Sequence, residues 1–160
     1  MVLFLVRHAQ AGSRAEANLP DDTIRPLTAE GRHQAAALVG VLTDLGARTV
    51  YSSTFRRCIE TAAPLAAHLG VPMTVTEDLA EGPADAAIKL VRARSEDNAA
   101  LVSHGDIIPA VLEHLAQIDG LDLGSAPKCQ KGSVWMLETD GRTGRFVKAT
   151  YVPAQRFGLR

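Results

Sequence analysis

Three short apolar runs in this chain stop in the same way. Val2–Val6 leads straight into Arg7-His8, RTVYSS ends in Ser52-Ser53 with Arg56-Arg57 close behind, and ALVSHGD ends in Ser103-His104. Each run has the length of a buried strand, and each gives way to a helical pattern. In LTAEGRHQAAALVGVLTDLG, Leu38, Val41, Leu42 and Leu45 recur at helical spacing. Thr28 suits the N-cap of that helix, Gly46 its stop, and Gly31 and Gly40 are soft spots within it. FRRCIETAAPLAAHLG is a second helix ending at Gly70, which Pro64 is expected to kink or divide. MTVTED is a weaker strand, PADAAIKLVRARS a helix, and IIPAVLEHLAQIDG a helix with Pro109 in its first turns. GSVWMLET and RFVKATYV are two closing strands around the turn DGRTG.

Strand and helix alternating over most of the chain predict an α/β fold with a mostly parallel sheet. The closing pair supplies an antiparallel edge. At 160 residues the chain fits one domain, taken as 1–160. In an open α/β sheet, ligands bind outside the carboxyl ends of the strands. Parallel strands would therefore bring Arg7, His8, His104 and one of Arg56 or Arg57 to a single rim.

The bulk charge says what that rim is not. Seventeen Lys and Arg balance eighteen Asp and Glu, so nothing global draws the chain to a nucleic acid polymer or a membrane. An anion site must be a local concentration of basic groups. Arginine forks suit phosphate oxygens, and a cluster of positive donors stabilises a transferring phosphoryl group. A neutral histidine is a competent nucleophile at phosphorus. Such a site needs no metal or other cofactor. Cys58 and Cys129 lack any zinc-ligand spacing and suit a reducing compartment. The first apolar run is too short for a signal-peptide core or a membrane span, so a cytoplasmic protein is expected.

LVRHAQAG resembles the arginine-histidine-glycine motif of the histidine phosphatase superfamily, the phosphoglycerate-mutase-like clan, with Ala9 where the glycine is usual. RPLTAEGRHQA, YSSTFRRCIETA and LVSHGD resemble three further segments of that family, in the same order. The small size is similar to the SixA-like branch. AGSR and KCQKGSVWML are also similar to the histidine-phosphatase half of mycobacterial two-domain Nudix hydrolases, although no Nudix half is readable.

The resemblance implies a three-layer α/β/α sandwich and a metal-independent phosphatase with a phosphohistidine intermediate. It makes His8 the nucleophile, His104 a phosphoryl ligand, and Arg7 and Arg57 the arginines that hold phosphate oxygens, leaving Arg56 on a solvated face. Glu81 in EDLAEG stands about where the family's leaving-group acid lies, with Asp78 and Asp106 as fallbacks. Arg25 is a candidate phosphate ligand, while Lys128 and Lys131 occupy a polar loop that could contact a substrate phosphate or simply be solvated. The substrate is expected to be a phosphorylated small molecule, a nucleotide or a phosphohistidine protein. Rival readings are a non-catalytic phosphate-binding module, a mutase, for which the chain has little room for a capping insertion, and a metallohydrolase using His104 and Asp106.

Overall fold

The computed structural model describes residues 1–125 and 128–154. Four strands run parallel: β1 (Val2–Arg7), β2 (Thr49–Ser52), β3 (Met73–Val75) and β4 (Ala99–Ser103). Two more, β5 (Val134–Thr139) and β6 (Phe146–Val152), form the closing hairpin, and β5 lies antiparallel to β1. The sheet order is β3-β2-β4-β1-β5-β6, so β1 and β4 are central and the hairpin forms one edge.

Strand alternation sends successive residues to opposite faces. Phe4 and Val6 of β1 therefore pack with Leu38 and Leu42 of α2 (Ala29–Leu45) and Ala62 and Leu65 of α3 (Arg56–Leu69). Leu3 and Leu5 face Val91 of α4 (Asp85–Ala93) and Ile108, Val111 and Leu115 of α5 (Ile107–Asp119). The result is helix, sheet and helix in three layers, with β4 buried at every residue. A one-turn helix, α1 (Arg14–Ala17), follows the first strand.

Two local expectations change. Pro64 does not divide α3, which runs unbroken from Arg56 to Leu69. The carbonyl that Pro64 leaves without its helical partner is that of Glu60, a half-buried residue on the same face as exposed Ala63 and Ala67. Gly31 is not a soft spot. A Cβ there would lie 2.0 Å from the Gln10 carbonyl oxygen, so only glycine lets the start of α2 cross the loop leaving β1. The same helix start fixes that loop. Thr28 caps the helix through the Gly31 N–H, and its own N–H donates to the Gln10 carbonyl at 2.9 Å. Buried Gln34 accepts from the Gln10 N–H at 2.9 Å.

Candidate active site

The register of the central strands sets the site. Arg7 lies opposite Ser103, and Ser52 opposite Val102, so the three strand ends stand abreast. The residues that follow the three strand ends are His8, Ser53 and His104. Backbone bonds extend the ladder by one residue, from the His8 N–H to the Ser103 carbonyl and from the Ser53 N–H to the Val102 carbonyl, both 3.0 Å.

A cavity of about 340 Å³ opens on this rim, lined by Arg7, His8, Gly12, Ser13, Arg14, Arg25, Arg57, Glu81, His104, Gly105, Asp106 and Lys131. The His8 and His104 rings meet edge-on with centroids 5.5 Å apart. His8 Nδ1 is 2.8 Å from the Ala9 carbonyl oxygen. A carbonyl only accepts, so Nδ1 carries the proton and Nε2 keeps its lone pair. Burial, then the charges of Arg57, His104 and Arg7, outweigh the Ala9 bond and lower the His8 pKa to about 3. His8 is neutral near pH 7. Ala9 is accommodated because its backbone does not enter the positive-φ region, and its N–H donates to Thr61 Oγ1 at 3.0 Å.

His104 has Ser53 Oγ 2.8 Å from Nε2, and Phe55 packs edge-on against its ring. Burial first, and then Arg57, lower its pKa to about 4. Arg57 is 2 % exposed. Its guanidinium donates to the Asp22 carbonyl at 2.9 Å and to Glu81 Oε1 at 3.0 Å, and it pairs with the Asp22 carboxylate at 3.2 Å. Arg56 points outward and pairs with Glu60. Arg7 donates through Nη1 to the Cys129 carbonyl at 2.6 Å. Gly105 permits this placement, because a Cβ there would sit 2.7 Å from the Arg7 guanidinium carbon.

Among the described residues, four buried side-chain polar atoms have no hydrogen-bond partner. Three of them are Arg7 Nε, Arg57 Nε and His104 Nδ1, all on side chains lining this cavity. An unpaired buried donor costs about 1–3 kcal/mol. The two arginine nitrogens can only donate, and His104 Nδ1 donates when it carries the ring proton, a set that an anion with several acceptor oxygens would satisfy.

The remaining candidates divide. Glu81 and Asp106 line the cavity, and Asp106 Oδ2 accepts from the Gly82 N–H at 3.1 Å, holding the Glu81 loop against the start of α5. Asp78 does not line it. Arg25 does, but its guanidinium donates to Asp22 and to the Ala11 and Gly12 carbonyls. Lys131 lines the cavity, whereas Lys128 lies beside Trp135 in a separate recess. No cluster of three His, Cys, Asp or Glu among the described residues is placed to hold a metal ion.

Sequence reasoning did not single out Asp22. Its carboxylate pairs with Arg14, Arg25 and Arg57 at 3.0–3.3 Å. Burial disfavours its charge, but the bonds from Arg25 and Arg14 and the charge of Arg57 hold its pKa below the ordinary value. The acidic pair Asp21-Asp22 just before Arg25 was the available signal.

The fold and rim define a phosphatase-type α/β sandwich. The chain belongs to the histidine phosphatase superfamily (branch 1), whose family model matches residues 3–86. It is 33% identical over 159 residues to an 8-oxo-(d)GTP phosphatase of Mycolicibacterium smegmatis, covering 94% of this chain and 47% of the relative. The chain thus spans about half the length of that relative. Its fold matches the protein histidine phosphatase SixA complexed with tungstate, with TM-score 0.73, 18% identity, and coverage of 98% and 97% of the two chains. A Nakamurella multipartitia structure named as a phosphohistidine phosphatase SixA gives TM-score 0.72 at 25% identity, covering 97% and 95%. No helix among the described residues is long and apolar enough to cross a membrane.

Proposed function

We propose that this chain is a phosphatase that passes a phosphoryl group from its substrate to His8 and then to water. The observation that carries the reading is the set of three unpartnered donors, Arg7 Nε, Arg57 Nε and His104 Nδ1, on side chains that share one cavity with a neutral His8.

In the first step the His8 Nε2 lone pair forms a bond to phosphorus. The P–O bond to the leaving group breaks, and its electron pair stays on the leaving oxygen. Where that oxygen is an alkoxide, the protonated form of Glu81 gives it a proton and is left as the carboxylate, which pairs with Arg57 at 3.0 Å. Arg7, Arg57 and His104 neutralise the charge on the equatorial oxygens. In the second step water attacks phosphorus and gives up a proton to the Glu81 carboxylate, the P–N bond breaks, and its electron pair returns to His8 Nε2. No cofactor is required.

Ser53 decides whether His104 can donate. Its hydroxyl oxygen accepts the Phe55 N–H at 3.2 Å, and in this reading its proton turns to His104 Nε2 at 2.8 Å, where Cys58 Sγ also lies 3.5 Å away. Nε2 then accepts, and the ring proton sits on Nδ1, the atom without a protein partner. Arg25 and Asp22 hold the Ala11–Gly12 loop in place beside the cavity.

The relatives' named activities bring two substrate classes to this site, nucleotides and phosphohistidine proteins. The test is p-nitrophenyl phosphate hydrolysis in EDTA, comparing wild type with His8→Ala. Activity in the wild type that disappears in the variant supports the reading. Activity that requires an added divalent metal, or that survives in His8→Ala, overturns it.

A further inference from the structure

The cavity is larger and more polar than one phosphoryl group requires. Its volume of about 340 Å³ falls in the range of small-molecule pockets, which are mostly lined by apolar and aromatic side chains. Here none of the twelve lining residues carries an apolar side chain. A ligand reaching past the scissile phosphoryl therefore meets charge, not a greasy wall.

That charge is positive and unevenly balanced. Five lining cations face two lining carboxylates, Glu81 and Asp106. Asp22, just behind, serves three of the arginines. Among the described residues, Lys131 has no carboxylate within salt-bridge distance. Its ammonium rests on the Gly12 carbonyl at 3.4 Å, the same oxygen that accepts from Arg25 at 2.8 Å. Burial, then the charges of Arg7, Arg25 and Arg57, lower its pKa. The position is fixed, because the next residue, Gly132, donates its N–H to the Arg7 and His8 carbonyls at 3.1 Å. Glu16 is a carboxylate close enough to oppose this shift but forms no salt bridge with Lys131, so two cations share one carbonyl and an arriving anion relieves the arrangement. Arg14 extends the same wall outward, with its side chain 71% exposed at the mouth.

We propose that Lys131 and Arg14 form a second phosphate subsite, and that the substrate class is the terminal phosphoryl group of a phosphoanhydride, a di- or triphosphate. This rests on the phosphatase reading above and names its substrate. The first phosphate goes to Arg7, Arg57 and His104. The second, joined to it through the bridging oxygen, goes to Lys131 and Arg14. On transfer to His8 the bond between the terminal phosphorus and the bridging oxygen breaks, and the electron pair stays on that oxygen. The leaving group is then itself a phosphate, whose growing charge Lys131 stabilises, so it needs a proton from Glu81 less than an alkoxide does. Water completes the cycle to give inorganic phosphate and the shortened phosphate ester.

The test uses inorganic phosphate and pyrophosphate as probes. Their binding is measured by calorimetry in EDTA to the His8→Asn variant, which cannot turn either over, with and without Lys131→Gln. Pyrophosphate should bind at least about tenfold tighter than phosphate, since an added charge-assisted contact is worth that much. Lys131→Gln should bring the two within about threefold of each other. Equal binding of the two anions, or a preference that survives both Lys131→Gln and Arg14→Gln, overturns the subsite and leaves the phosphatase reading standing. If neither anion binds, both readings fall. As a second readout, Lys131→Gln should lower kcat/KM for a nucleoside diphosphate at least about tenfold more than it lowers kcat/KM for p-nitrophenyl phosphate. A matching loss on both substrates also overturns the subsite.

Discussion

Adding one methyl group at residue 105 should disable this site from a position that carries no chemistry. An alanine Cβ at Gly105 would stand 2.7 Å from Arg7 Cζ, 2.8 Å from Nη2 and 3.0 Å from Nε. Ordinary contact begins near 3.4 Å, so the guanidinium must retreat by several tenths of an ångström. It is tethered while doing so, because Nη1 donates to the Cys129 carbonyl at 2.6 Å. Retreat lengthens that bond or rotates the fork, and either way re-aims Nε, one of the three unpartnered donors. Loss of one well-aimed transition-state donor costs about 10²–10³ in rate. A weakened hydrogen bond to a charged group costs about 1.5–3 kcal/mol of stability. Gly105→Ala should therefore lower kcat/KM on p-nitrophenyl phosphate about a hundredfold, with a modest fall in the urea midpoint. Gly141→Ala is the control, because its Cβ would meet nothing within 4 Å. A folded Gly105→Ala enzyme within threefold of wild type would refute the claim that Arg7 is aimed by this contact.

Other outcomes follow from the same geometry. Ser53→Ala frees the His104 tautomer and should lower kcat about tenfold or more with KM little changed, and Ser53→Thr should restore much of the rate; ¹⁵N NMR of His104 should show Nδ1–H in the wild type and a mixture in the alanine variant. Glu81→Gln should slow alkyl phosphates more than p-nitrophenyl phosphate or phosphohistidine, and an equal effect on all three would remove Glu81 as the leaving-group acid. His8 and His104 have folded pKa values of about 3 and about 4, below their unfolded 6.5. The unfolded state thus takes up protons that the folded state does not as pH falls below about 6.5, and stability is lost on acidification towards pH 4. From pH 7 to 5 the loss is on the order of 2 kcal/mol per histidine. It should show in urea titrations and be reduced in His104→Asn, while the acid limb of kcat/KM should lie below pH 5 instead of near 6.5.

The strand ends were legible because a parallel sheet gathers its carboxyl ends on one rim, and His8, Ser53 and His104 stand there abreast. Arg57 over Arg56 came from the family pattern, and burial separates them: Arg57 is enclosed, while Arg56 pairs with Glu60 on the surface. What was not legible depends on loops folding back. Asp22 reaches the site only because the segment after α1 lies across Arg57, and Lys131 only because Gly132 is pinned to the end of β1. Neither contact leaves a periodicity in the sequence. The soft spot at Gly31 and the division at Pro64 failed for a related reason. Helix propensity sees a weak residue, but not the Gln10 carbonyl 2.0 Å from where a Cβ would go, nor the exposed face on which a proline is tolerated.

The central claim is that His8 Nε2 takes the phosphoryl group. It is tested most directly by stopping turnover of phosphoramidate or p-nitrophenyl phosphate in alkali within milliseconds and mapping the protein by peptide mass spectrometry. The account predicts one phosphoryl group on the peptide carrying His8, stable in alkali, lost in mild acid, and absent from His8→Ala. Rapid turnover with His8 unmodified at every quench time, or full activity in His8→Ala, would contradict it.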